Sequence, residues 1–218
     1  MVTIAELEIA DEPQRWSALG FAVESDRCRI GAVALRFAGR EAGRGLIRWH
    51  LRGLPSRDGD PGAEPALDGL PTAHAAPGDG GAHEPPAHPN GVVAIDHIVA
   101  ISPDLDRTVA RLQEAGLDLR RIREQPTPAG APRQAFFRLG AELLEVVQEP
   151  QQIAARAGGS DRPAFFWGLA LRCPDLDATV ATFGENVGGI RDAVQPGRRI
   201  ASVRRVAGLA LPVALMTD

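Results

Sequence analysis

The sequence predicts an α+β fold built from repeated βαβββ modules that pair into a curved mixed-sheet cup with the helices outside. Three observations predict it. Ser102-Pro103-Asp104-Leu105-Asp106-Arg107-Thr108-Val109-Ala110 returns 71 residues later as Cys173-Pro174-Asp175-Leu176-Asp177-Ala178-Thr179-Val180-Ala181. A repeat of that length marks a duplicated structural unit. The hydrophobic period around each copy changes in the same order, from strand-like to helix-like and back. The chain has 218 residues, 44% of them hydrophobic, enough for one good core or a little more.

The elements follow in order. In the first copy, residues 93–101 form an apolar-rich strand. Residues 103–115 form a helix with Leu105, Val109 and Leu112 on one face. Asp residues crowd its first turn and Gly116 closes it. Strands are then expected at 117–124, 133–139 and 141–148. The second copy has a strand at 165–172 and a helix at 174–184, with Leu176, Val180 and Phe183 at the same spacing. Strands follow near 190–195, 199–205 and 209–216. One such unit leaves a sheet face uncovered, and two can curl their sheets toward each other around a cavity.

The expected domains are a degenerate βαβββ module at 1–54, a disordered linker at 55–91, a module at 92–150, a connector at 151–162 and a module at 163–218. The linker holds eight of the 18 Pro and almost no large apolar residue, so it is not expected to bury a core. His74, His83 and His88 lie in it at no recognisable ligand spacing. In the N-terminal module strands are expected at 2–10, 21–25, 28–37 and 45–52, with a short helix at 11–20. Only the order of elements supports that module, since it lacks the Pro-Asp-Leu-Asp signature.

Composition excludes several function classes. All 24 basic residues are Arg and there is no Tyr, so neither a Lys Schiff base nor a Tyr acid is available. A net charge of −4 without a basic patch argues against nucleic acid as a partner. No apolar run approaches membrane-spanning length, and the N-terminus lacks a basic n-region and a long apolar h-region. Cys28 and Cys173 make no disulfide framework and read as buried thiols of a cytoplasmic protein. No phosphate-cradling Gly loop, nucleophile elbow or Cys-x-x-Cys occurs.

Ile95-Asp96-His97-Ile98-Val99-Ala100, then Asp104-Leu105-Asp106, Phe137-Arg138-Leu139-Gly140 and Glu142-Leu143-Leu144-Glu145-Val146-Val147, resembles a module of the vicinal oxygen chelate superfamily, which includes glyoxalases, bleomycin-resistance proteins and extradiol dioxygenases. The resemblance covers 92–150 well, 162–218 moderately and 1–54 weakly. It implies a small-molecule ligand, a homodimer, and a divalent metal (Zn, Fe, Mn or Ni) held by a first-strand His and a last-strand Glu. Those positions are His97 and Glu145 here, with Glu145 alternatively the catalytic base. The residues themselves agree: a Glu among aliphatics is costly unless paired, protonated or metal-bound.

The second copy departs from the pattern. Repeat alignment puts Gly168 opposite His97 and Val213 opposite Glu145, and neither has a ligating side chain. If the N-terminal segment is a module, Glu6 falls near the His97 position and His50 near the Glu145 position. A set of Glu6, His50, His97 and Glu145 would then complete a metal site. The simpler and preferred reading has Glu6 on an exposed strand and His50 at a rim beside Trp49. Substrate contacts are expected from Phe137, Trp167 and Arg172. Phe136, Phe165, Phe166, Arg133, Arg138, Arg198, Arg199, Arg204 and Arg205 read chiefly as core, interface or solvated residues. The function these readings support is a glyoxalase-like small-molecule enzyme (lyase, isomerase or dioxygenase). The alternative is a metal-free binding or sequestering protein.

Overall fold

The computed structural model describes residues 1–55, 67–75, 86–127 and 130–218. The N-terminal region runs β1 (Thr3–Ile9), α1 (Pro13–Ala18), β2 (Val23–Glu24), β3 (Arg27–Ile30) and β4 (Val33–Phe37). After it come β5 (Leu46–Arg52) and β6 (Thr72–His74). The first repeat is β7 (Ala94–Ser102), α2 (Leu105–Glu114), β8 (Asp118–Arg123), β9 (Gln134–Leu139) and β10 (Glu142–Gln148). A short connector helix, α3 (Gln151–Arg156), leads to the second repeat. That repeat is β11 (Phe165–Arg172), α4 (Leu176–Phe183), β12 (Arg191–Asp192), β13 (Arg199–Ser202) and β14 (Val213–Met216). No described helix is long and apolar enough to cross a membrane.

The strands form two open sheets, β2-β3-β4-β1-β5-β6 and β12-β13-β14-β11-β7-β10-β9-β8. In the larger sheet each repeat closes by pairing its first and last strands in parallel, β7 with β10 and β11 with β14. The two repeats join through antiparallel β7 and β11. The smaller sheet follows the same plan with β1, β4 and β5.

The Pro-Asp-Leu-Asp repeat is a helix start. Asp104 accepts the Arg107 backbone N–H at 3.0 Å, and Asp175 accepts that of Ala178 at 2.9 Å, each an N-cap satisfying a donor the helix leaves free. Thr108 and Thr179 both donate back to the capping residue's carbonyl. The signature is therefore spent on folding.

Two expectations change. Residues 28–37 are not one strand. Gly31, at φ 61°, turns the chain between β3 and β4, which pair as a hairpin. Val33–Phe37 is then the strand parallel to β1, and Leu46–Arg52 begins the next half of the sheet antiparallel to it. The expected linker also contains ordered structure. Leu67 and Leu70 are buried in the core, and β6 adds to the sheet edge parallel to β5. Trp49 Nε1 donates to Thr72 Oγ1 at 2.6 Å. His74 is exposed on β6, His88 accepts the Ala22 backbone N–H at 3.0 Å, and His83 lies outside the described residues.

Asp68 ties this segment to α2. Its carboxylate accepts Arg107 Nε at 2.7 Å and Nη2 at 3.2 Å, and the Thr108 hydroxyl. Asp68→Ala is expected to cost about 2 kcal/mol. Amide exchange should rise first at Thr72–His74, and urea melts with exchange mapping check both.

One hydrophobic core runs through both sheets, from Trp16, Trp49 and Leu35 to Phe137, Leu171 and Phe183. Phe166 packs on Trp49 edge to face at 5.1 Å between centroids. Asp11 Oδ2 accepts Trp16 Nε1 at 3.1 Å and the Ala210 backbone N–H at 2.9 Å, so it joins α1 to the second repeat. Both cysteines are buried and free, and burial pushes their thiols up to about 12 (Cys28) and about 11 (Cys173). Neither is a thiolate at neutral pH.

Candidate functional site

Strand register brings one set of side chains to one face of the larger sheet. Phe136 pairs with Glu145, Glu145 with Val99, and Val99 with Gly168. The next row runs Arg138, Leu143, His97, Ala170 and Ala214. The other neighbouring row runs Arg123, Gln134, Val147, Ile101 and Phe165. Residues between these, such as Leu144, Val146 and Ile98, point to the core.

His97 and Glu145 meet in the centre. His97 Nε2 stands 3.3 Å from Glu145 Oε2, and each side chain is 14% exposed, so both are reachable from one side. On the other side of the ring, Nδ1 lies 2.8 Å from Asp96 Oδ2. Consecutive strand residues point to opposite faces, so Asp96 should not reach this ring. A bulge explains the contact: β11 continues from Ala170 to Leu171 while β7 steps from His97 to Ile95. Asp96 is the extra residue, and the bulge turns it toward His97. The same bulge sends Ile95 into the core rather than onto the His97 face.

Asp96 is itself held by Arg198, through Nη2 to Oδ1 at 2.5 Å and Nη1 to Oδ2 at 3.2 Å. Burial alone would raise this carboxyl, but hydrogen bonds from His97 and Arg198 outweigh it and bring it to about 2. An ionised Asp96 can only accept, so Nδ1 carries a proton, and Nε2 is the ring atom that faces Glu145. Burial pushes Glu145 the other way, above the usual carboxylate range, against the opposing charge of His97 and the Gln134 hydrogen bond. The Gln134 amide N–H donates to Glu145 Oε1. His97 Nε2 and the Glu145 carboxyl thus stand side by side on one accessible face, a geometry that suits the pair to give or take a proton.

Of the other expected site residues, Arg172 stays on the His97 face, two residues beyond Ala170 along β11, and Phe137 does not. Phe137 is fully buried in the core, because alternation along β9 turns its neighbour Phe136 to the His97 face instead. Trp167 is the extra residue of a bulge between Phe166 and Gly168 and is 48% exposed. Arg172 pairs with Asp218 at 3.2 Å. Arg133, read as solvated, braces Asp106 and Glu124. Arg198, read the same way, is the anchor of Asp96.

Glu6 and His50 face each other on the smaller sheet, away from the His97–Glu145 pair. Glu6 follows a bulge at Ala5 as His97 follows Asp96, but Ala5 has no carboxylate to offer. Arg27 and Arg36 hold Glu6, and His50 Nε2 lies 3.7 Å from Glu8 and 4.0 Å from Glu6. Among the described residues, no three His, Cys, Asp or Glu side chains converge on a point that would hold a metal. The four-ligand set does not assemble, because β5 pairs with β1 and not with the larger sheet.

A metal between His97 and Glu145 would find two protein donors, whereas a catalytic site takes three. The facing half is blank. A Cβ at Gly168 would sit 2.6 Å from the Pro212 carbonyl oxygen. Register pairs Ala170 with Ala214, so Ala214 is the inward counterpart of Glu145, while Val213 faces the core. The residues present do not fit a resident catalytic metal.

Neither a family model nor a curated protein matches the chain. Methylmalonyl-CoA epimerase from Mycobacterium tuberculosis superposes at 19% identity with a TM-score of 0.48, over 59% of this chain and 89% of its own. A Streptomyces coelicolor methylmalonyl-CoA epimerase does so at 21% identity and 0.47, over 58% and 98%. A fusion of a xylose isomerase-like TIM barrel with 4-hydroxyphenylpyruvate dioxygenase superposes over 99% of this chain and 49% of its own, at 14% identity and a TM-score of 0.63. Such identities speak for fold alone. With parallel closure of each βαβββ unit and near-complete superposition on that fusion, the chain has the fold of the vicinal oxygen chelate superfamily.

Proposed function

We propose that the protein binds a small organic molecule on the His97 face of the larger sheet, without a resident metal, and that His97 and Glu145 exchange a proton with it. The observation that carries this reading is the pairing itself. A ring whose tautomer is set by Asp96 meets a carboxyl raised by burial at 3.3 Å, and the Gly168, Ala170 and Ala214 positions in the same rows carry no ligating side chain. The metal-free, sequestering branch of the fold's functions fits that chemistry. The fusion protein supplies only the frame. This chain shows no alternation of strands and helices of the TIM-barrel kind among its described residues, so the half it resembles is the dioxygenase-named one.

A second reading has one specific support. A carboxylate on the far nitrogen of a His is the usual companion of a metal-bound imidazole, and Asp96 stands there. Elemental mass spectrometry of the purified protein, reconstituted with Zn, Fe, Mn or Ni, separates the two. The expected result is sub-stoichiometric metal in the wild type and in Glu145→Ala alike. Near-stoichiometric metal that Glu145→Ala abolishes would overturn the metal-free reading.

A further inference from the structure

We infer that the ligand of the His97 face is a small organic acid carrying a hydroxyl next to its carboxylate, the carboxylate on Arg123 and the hydroxyl on Gln134. This rests on the reading of that face as a small-molecule site, and it names the class of molecule.

The first observation is an acceptor without a donor. Gln134 is 8% exposed, and its amide N–H is used on Glu145. Its Oε1 is buried and has no hydrogen-bond partner. A carbonyl withdrawn from water and left unpaired is a cost the fold carries unless a ligand supplies the donor. Gln134 shares a face with Glu145, so the donor it lacks would come from the same side as His97.

The second observation is a cation without an anion. Arg123 is the register partner of Gln134 on the edge strand β8, so the two side chains are direct cross-strand neighbours. Its charge is close enough to act on Glu145. Among the described residues no carboxylate or carbonyl is paired with it, whereas Arg133 on the neighbouring strand side is held by Asp106 and Glu124. In the adjacent row stands a ring: Phe136 carries Arg121 over one face at 4.7 Å.

A donor for Gln134 and an anion for Arg123, one strand spacing apart, describe adjacent groups on a single small molecule. A guanidinium takes a carboxylate in preference to a neutral group because both hydrogen bonds are charge-assisted. The Phe136 ring beside them favours a flat or aromatic body.

Salicylate, benzoate and phenol separate the contributions, with the full chain titrated by each and the His97 ring resonances followed by NMR. Salicylate is expected to bind about tenfold tighter than phenol and about tenfold tighter than benzoate, and equal binding of salicylate and benzoate would overturn the hydroxyl's place on Gln134. Arg123→Gln should erase the advantage over phenol, and it alters a half-buried edge-strand residue that has no ion-pair or hydrogen-bond partner among the described residues. Equal binding of salicylate and phenol in the wild type overturns the inference whatever the variant does. If phenol moves the His97 ring and salicylate gains nothing, the binding face stands and the organic-acid assignment fails. If none of the three moves the ring at millimolar concentration, the reading of that face as a small-molecule site fails, and this inference with it.

Discussion

Asp96→Ala is expected to destabilise the folded chain by about 3 kcal/mol at neutral pH, more than any other change at the candidate site short of a backbone clash. It strands two partners. Arg198 loses a two-bond pairing, and His97 loses the acceptor that fixes its tautomer. The pH dependence gives a second handle on the same number. The Asp96 carboxyl falls from 3.8 to about 2 on folding. Its contribution is therefore complete above pH 3.8 and is lost as the pH falls toward 2, and a shift of that size is worth about 2 kcal/mol. Urea melts at pH 7 and again near the lower value should show the gap between wild type and variant closing. A gap that persists in acid would mean that packing, not charge, makes Asp96 valuable. Glu145 works in the opposite sense. Its carboxyl is raised by burial, so its contribution is complete below the ordinary carboxylate range and is lost as the pH rises through the raised value.

How much of this was legible follows from which rule each residue obeys. The strand period places His97 and Glu145 on apolar strands, and the repeated helix start places those strands, so the pair can be read from sequence. Asp96 cannot. Alternation assigns it to the face opposite His97, and only the bulge against β11 reverses that. A bulge depends on how two strands 70 residues apart fit together, which no local pattern records. The role of Arg198 is missed for the same reason, since its partner is 102 residues away and its own neighbourhood reads as a solvated strand face or rim. Gln134 carried one weak signal, a polar residue two positions before Phe136 on a strand otherwise apolar up to Arg138. In the N-terminal half the order of elements was legible but the boundary was not. The hairpin at Gly31 sits inside an apolar run, and one glycine there moves every later strand one place along the sheet.

Gly168→Ala is expected to cost about 3 kcal/mol, through overpacking rather than through any lost contact. The added Cβ would meet the Pro212 carbonyl oxygen at 2.6 Å. That oxygen cannot retreat cheaply, because it accepts the Leu169 backbone N–H at 3.0 Å and so belongs to the β11–β14 ladder. Relief requires the two strands to part. Ala214→Ser changes the inward position on the neighbouring strand, where the side chain is half-buried and adds a single atom, and is expected to cost about 1 kcal/mol or less. Urea melts of both variants, with amide exchange at Leu169 and Val213, test the contrast. Equal costs would show that the Gly168 contact is soft, and a ligand side chain would then be compatible with this backbone. A large cost confined to Gly168 ties the empty half of the site to strand packing. The Gly168 position in the Glu145–Val99 row is blank because the Pro212 carbonyl occupies the space a side chain would need, so placing a third metal donor there would require re-spacing the sheet and not a single substitution.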